Sequence, residues 1–300
     1  MRSADVAALV DAHVRGDHQR FVVVARTIAA NERSSGRDRL ADQLERLVGA
    51  PGTSTAQALG PAVAGFAAPL ASKGTPILDA NTAAQVSRVC AEYEAAERLA
   101  AAGLAPVNSL LLVGPPGVGK SMTAAWIGEQ IGLPSYMVSI EGLIDSHLGV
   151  SGRNLNALFD EVCTRAAVWV FDEFDSLAAT RNGSNDVGET MRLVNSLLRM
   201  LDRPRPGVVV ACTNRPDAVD QAVHDRFETT IEFAGLTDHS ACTLLETVLH
   251  GTSVDPIAAA AAMWDGRSHR QLVQAVQAAR KSATLDGRDL TLSDLTAATA

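Results

Sequence analysis

The stretch from Leu110 to Ser121, LLLVGPPGVGKS, confines this chain more tightly than any other. Its first four residues are apolar and read as a buried strand, while Met122 to Gly132 that follow have helical composition. Between them Gly114 to Ser121 satisfies G-x-x-x-x-G-K-[ST] in the strand-to-helix setting that must accompany it. The glycines let backbone N–H groups turn inward around phosphates, and the helix start adds the positive end of its dipole. Lys120 is placed to neutralise β- and γ-phosphates and Ser121 to ligate Mg²⁺. Pro116, Gly117, Val118, Gly119, Lys120, Ser121 and Met122 are therefore the candidate nucleotide-binding residues, with the phosphates of a nucleotide and Mg²⁺ as the implied ligands.

The rest of the chain agrees with a strand feeding such a loop. SYMVSI, AVWVFDE, GVVVACTN and TTIEF are apolar runs separated by helical patterns, which predicts an α/β fold with a parallel sheet covered on both faces. Beyond Leu236 the strands stop, and HSACTLLETVLH, PIAAAAAMW, SHRQLVQAVQAARKSA and LTLSDLTAAT predict a helical lid over 237–300. The α/β body is expected over 76–236, opening with a helix that has an Asn/Thr start and stops at Gly103. Residues 49–75 are rich in Ala, Gly, Pro, Ser and Thr, and read as a linker that buries little surface. Over 1–48, Val6, Leu9, Val10, Phe21, Val24, Ile28, Leu40, Leu44 and Leu47 recur at helical spacing. This short all-helical unit either recruits or docks a partner or packs on the main body.

Composition removes several classes. A chain of 300 residues with 47% hydrophobic content is long enough for one large core and a smaller one. A net charge of −8 without any Lys/Arg run argues against a dedicated nucleic-acid binder. The cysteines, Cys90, Cys163, Cys212 and Cys242, form no CxxC pair, so neither a zinc site nor a disulfide framework is expected, and a reducing cytoplasm fits. The first residues lack the apolar core of a secretory signal, and no run of about 18 apolar residues predicts a membrane span.

A second strand, AVWVFDE, ends in Asp172 and Glu173. An acid at the C-terminal end of a neighbouring parallel strand faces the ligand crevice, where Asp172 can hold the Mg²⁺ water shell. Glu173 can orient and deprotonate an attacking water. Asp175 reads as a helix N-cap. Asn214, at the tip of VVVACTN, can bridge water and γ-phosphate.

The order of these motifs resembles the AAA-type ATPases of the AAA+ superfamily, from about Ile77 to Ala300. GPPGVGKS is similar to Walker A, VWVFDEFD to Walker B, and VVVACTNRPDAVDQAVHDRFE to the first sensor with its arginine segment. The resemblance implies self-association, usually into a hexamer, with each nucleotide site completed by an arginine of the next subunit. Arg226 stands at that position and would stabilise charge growing on the γ-phosphate. Many relatives carry two arginines there, whereas this chain has Asp225 before Arg226. Either Arg226 suffices, or hydrolysis is slow, or Arg192 or Arg181 contributes. The bland reading of Arg226 is a surface ion pair with Asp225 or Glu228. In the lid, GRSHRQL offers Arg267 and Arg270, whose role stays open, and Ile77 and Leu78 would form a wall against adenine.

In polypeptide-threading relatives the loop after the second strand carries an aromatic residue, an aliphatic one and glycine. His147, Leu148 and Gly149 occupy that frame, where a flat ring beside an aliphatic chain gives a grip tolerant of sequence. The resemblance thus implies a ring ATPase that remodels, unfolds or translocates a protein through a central pore. Two alternatives stand beside it: a nucleotide-switched regulatory subunit of a separate effector such as a protease, and a nucleic-acid motor, which the sparse basic residues disfavour.

Overall fold

The computed structural model describes residues 59–143, 150–176, 196–218, 221–263 and 267–298, together with Val24 and Ile28. The chain divides into two units, Met1–Ala56 and Gln57–Ala300. In the first, Val24 and Ile28 are helical and Ile28 is buried. The rest of the expected docking unit lies outside the described residues, as do His147, Leu148, Gly149, Arg181 and Arg192.

The second unit is built on a six-stranded sheet in the order β1-β3-β4-β5-β2-β6. Strands β2 (Ser109–Val113), β3 (Ser135–Val138), β4 (Val168–Phe171), β5 (Val208–Thr213) and β6 (Thr229–Glu232) run parallel. Apolar runs mark β2, β3, β4 and β5, because a strand covered on both faces cannot alternate with polar residues, whereas β6, at the sheet edge, buries Ile231 and leaves Thr230 and Glu232 exposed. Every residue of β2, β4 and β5 is buried. Alternate side chains feed two cores. Leu111, Trp169, Phe171, Val209 and Ala211 face helix α3 (Val150–Thr164) through Leu155, Leu158 and Val162. Leu110, Leu112, Val170, Val208 and Val210 face α1 (Ala80–Glu94) and α2 (Lys120–Gln130) through Val86, Val89, Ala124 and Ile127.

Strand β1 (Ala67–Pro69) corrects the linker expectation over 59–75, while 49–58 lie outside the described residues. It pairs antiparallel with β3, Ala67 opposite Val138 and Pro69 opposite Tyr136. Val63, Phe66 and Ala67 are buried in the same core as Trp169. The packing reason is visible at Gly142, where an added Cβ would come within 2.8 Å of the Phe66 Cβ. Small residues there do not weaken the segment; they let it lie flat on the sheet edge, where a proline costs no ladder bond.

The first helix also differs in detail. Its N-cap is Asp79, whose carboxylate accepts from the N–H groups of Asn81 and Thr82, so the helix starts before the expected Asn/Thr pair. It breaks at Ala95 and resumes over Ala96–Ala101, ahead of Gly103 at φ 74°. After β6 come α4 (Asp238–Val248), α5 (Pro256–Met263), α6 (His269–Leu285) and α7 (Leu292–Ala297), which share a third core around Leu245, Leu272 and Leu295. Ser268 and Gln271 form a reciprocal capping box that fixes where α6 begins.

Candidate nucleotide site

Strands β4, β5 and β2 are neighbours, so their C-terminal ends deliver Asp172, Asn214 and the loop Gly114–Gly119 to one edge of the sheet. This is the crevice in which parallel α/β sheets take ligands. Gly114, Gly117 and Gly119 all have positive φ (154°, 80° and 99°), conformations that hold the loop curled ahead of α2. A side chain would strike backbone at Gly114 and crowd the start of α6 at Gly117. A Cβ on Gly114 would lie 2.3 Å from the Phe233 carbonyl oxygen, and one on Gly117 would lie 2.9 Å from the Ser268 Oγ.

Lys120 is 5% exposed and its ammonium is fully engaged. Nζ donates to the carbonyls of Gly114 (2.7 Å) and Pro115 (2.9 Å) and to Asn214 Oδ1 (2.7 Å). Burial pulls this ammonium below the usual lysine value, and the nearby carboxylates of Asp172 and Asp175 offset part of that pull. Ser121 Oγ donates to Asp172 Oδ2 at 2.6 Å. A hydroxyl and a carboxylate this close form the oxygen donor pair that a hard divalent cation uses beside phosphates, so the residues fit Mg²⁺. Beneath them Cys212 is wholly buried; burial first, and then Asp172, push its thiol far up, which keeps it protonated and inert.

Glu173 is exposed and is the sole non-glycine residue with positive φ among the described residues, at 51°. Its backbone N–H donates to Asp172 Oδ1 (3.0 Å) and its carbonyl accepts from Ser176 (2.8 Å). The turn thereby lifts the carboxylate-bearing residue out of the strand into solvent. The residues that the expected Asp175 cap would serve lie outside the described residues; its Oδ1 accepts from Thr213 Oγ1 (3.2 Å) and from the Asn214 N–H (3.3 Å).

Of the expected site residues, the structure brings together Lys120, Ser121, Asp172 and Asn214, with Pro116 to Gly119 curled above and Met122 half-buried on the first turn of α2. Arg226 follows the short helix Gln221–His224 and pairs with neither Asp225 nor Glu228. Its guanidinium meets the Asp202 carboxylate and, at 3.4 Å, the Leu198 carbonyl. Asp225 takes Gln221 instead, and Glu228 the Asn108 N–H.

Two contacts that residue-type reasoning missed tie the lid to this site. The Arg270 N–H donates to the Gly117 carbonyl (3.1 Å), and the His269 ring bonds the Ile77 carbonyl through Nε2 (3.1 Å). His269 Nδ1 is buried without a hydrogen-bond partner among the described residues. Burial holds this imidazole below its usual value, against the upward pull of the Ile77 carbonyl. The SxxQ capping box was the one sequence signal that could have placed the start of α6 against the loop.

A curled glycine loop with a buried lysine and a Ser–Asp pair across the tips of adjacent parallel strands defines a P-loop nucleotide site. Residues 110–234 match the family model described as the ATPase family associated with various cellular activities (AAA). The chain is 36% identical over 143 residues to an uncharacterized AAA family ATPase, y4kL, of Sinorhizobium fredii, covering 47% of this chain and 43% of that protein. It is 30% identical over 226 residues to the ATP-dependent zinc metalloprotease FtsH of Acidothermus cellulolyticus, covering 70% of this chain and 34% of that one. A putative 26S proteasome regulatory subunit homolog of Methanothermobacter thermautotrophicus is 33% identical over 146 residues, 47% of this chain and 39% of the relative. The chain thus spans less than half the length of each of these relatives. Among solved structures, the FIGL-1 AAA domain in complex with ADP has the same fold, with TM-score 0.62 at 22% identity over 78% of this chain and 85% of that one. The chain belongs to the AAA-type ATPases of the AAA+ superfamily.

Proposed function

We propose that this chain hydrolyses ATP with Mg²⁺ and uses the cycle to remodel, unfold or translocate a protein. The observation that carries the reading is the engagement of Lys120 with Asn214 and of Ser121 with Asp172 at one crevice. Ser121 and Asp172 would hold the Mg²⁺ ion, which supplies charge neutralisation at the phosphates. Lys120 leaves the Gly114 and Pro115 carbonyls and turns to phosphate oxygens, exchanging uncharged acceptors for charged ones. Glu173 takes the proton of the attacking water, and Asn214 holds that water against the γ-phosphate through its amide. Phosphoryl transfer asks little else of a protein than positioning and charge stabilisation.

Arg226 is exposed, and its Asp202 partner is more exposed still, so the pair is weak enough to exchange when a second copy approaches. That supports a role across a subunit boundary in a ring, a hexamer by family habit. His147, Leu148 and Gly149 would grip the substrate chain in the pore. A regulatory subunit serving a separate effector is the second reading, supported by the relatives named as a metalloprotease and as a proteasome regulatory subunit homolog.

Glu173→Gln tests the chemistry: it is expected to lower turnover by about 10²-fold or more with nucleotide affinity unchanged, and unchanged turnover refutes the assignment of the base. Used as an ATP-locked bait in extract, the same variant should capture protein substrates. A single stoichiometric enzyme among the captured proteins would favour the regulatory reading. An assembled ring that still remodels after His147 and Leu148 are both made Ala would remove the gripping role.

A further inference from the structure

We infer that Asp175 is a positioning residue for hydrolysis: it locks the Asn214 end of β5 to the turn that carries Glu173. The inference rests on the hydrolase reading of the site. Three bonds stitch the turn to the neighbouring strand. The Phe174 N–H donates to the Cys212 carbonyl (2.9 Å), and Thr213 Oγ1 and the Asn214 N–H both donate to Asp175 Oδ1. Thr213 is wholly buried and its oxygen also accepts from the Arg215 N–H (3.1 Å), so the hydroxyl proton is directed at Asp175 and nowhere else.

The consequence reaches both reacting groups. Asn214 presents Oδ1 to Lys120, which leaves its amino group for the crevice only while its backbone stays where Asp175 holds it. Glu173, two residues before Asp175, sits at φ 51°, a conformation costing about 1 kcal/mol or more that persists only when its surroundings over-determine it. The turn is fixed on one side by Asp172 Oδ1, bonded to the Glu173 N–H, and on the other by Phe174 and Asp175. Asp175 therefore sets the spacing between the base and the amide without touching water or phosphate. Its need is for an acceptor oxygen, which an asparagine can also supply.

The test compares Asp175→Ala and Asp175→Asn in the full chain. Without nucleotide, amide hydrogen exchange at Asn214 is expected to quicken by roughly tenfold in the alanine variant, with Leu111 in the sheet core unchanged, and to stay at the wild-type rate in the asparagine variant. Turnover should follow the same order, falling roughly tenfold in Asp175→Ala with affinity for a fluorescent ATP analogue held within about twofold. On an Asn214→Ala background the alanine substitution should cost less than about twofold more, because the two act in series. Unchanged exchange at Asn214, losses that multiply, or an asparagine variant as impaired as alanine would each overturn the inference. Absence of turnover in the wild type would refute the hydrolase reading alone, since the exchange measurement needs no nucleotide.

Discussion

Replacing Lys120 with Met separates two roles of a buried charge with opposite signs. In the fold, the ammonium makes three hydrogen bonds. Bonds from a charged donor contribute about 1.5–3 kcal/mol each. Against them stands the cost of taking an ammonium out of water, several kcal/mol even after relaxation. Burial also pulls the proton affinity of Lys120 down, against the raising influence of its charged neighbours. Methionine fills the same channel without a charge, and the Gly114 and Pro115 carbonyls, next to exposed loop residues, recover water. Stability without nucleotide should therefore change by less than about 2 kcal/mol, or about 4 °C for a unit of this size. Nucleotide linkage should collapse. At a hundred times the dissociation constant, Mg-ATP stabilises wild type by about 2.7 kcal/mol, and the variant by almost nothing. Thermal unfolding with and without Mg-ATP, beside a direct affinity measurement, reads both quantities. A loss above about 4 kcal/mol without nucleotide, twice the stated bound, would refute the accounting by making Lys120 a structural pin. A surviving nucleotide shift would refute its role at the phosphates.

Arg226→Ala should lower turnover in the assembled protein by about 10³-fold while moving the unfolding midpoint of the isolated chain little, because its ion pair is exposed; normal hydrolysis in a ring sinks the assignment. Phe66→Ala should cost about 3–5 kcal/mol by emptying the core under β1, read as a lower denaturant midpoint; a cost below about 1 kcal/mol would return this segment to the status of a linker. His269 gives a pH dependence. Its folded proton affinity is lowered, so its contribution to stability is present above the unfolded value of about 6.5 and is lost as pH falls through the lower folded value. Wild type should lose more stability than His269→Gln as pH drops from neutral into that window, and parallel losses would contradict it.

The strands and the loop were legible because each is dictated locally. Buried parallel strands must be apolar throughout, and a phosphate loop must place its glycines, lysine and serine at set spacings. Asp172 and Asn214 followed, since the last residues of neighbouring strands share an edge whatever the sheet order. What escaped depended on partners distant in the chain. Phe66 is an unremarkable apolar residue among glycines and alanines until β3 and Gly142 lie beside it. Asp175 looked like a cap because a carboxylate ahead of a helical pattern usually is one, and its bonds to Thr213 and Asn214 cross thirty-eight and thirty-nine positions. Arg226 has Asp225 beside it and Glu228 two positions on, yet Asp202 takes it, because the chain turns those nearer acids toward Gln221 and Asn108.

The bond from the Arg270 N–H to the Gly117 carbonyl is made entirely of main chain. Side-chain truncation on either side leaves it intact, so an alanine survey of lid and loop would pass over this strut between them. Drift in the lid's surface residues likewise leaves the strut in place. Position 270 is the second residue of α6, a first-turn site where proline is tolerated by the helix. Arg270→Pro would delete the single N–H concerned and little else, cutting the lid loose from the phosphate loop without unfolding either.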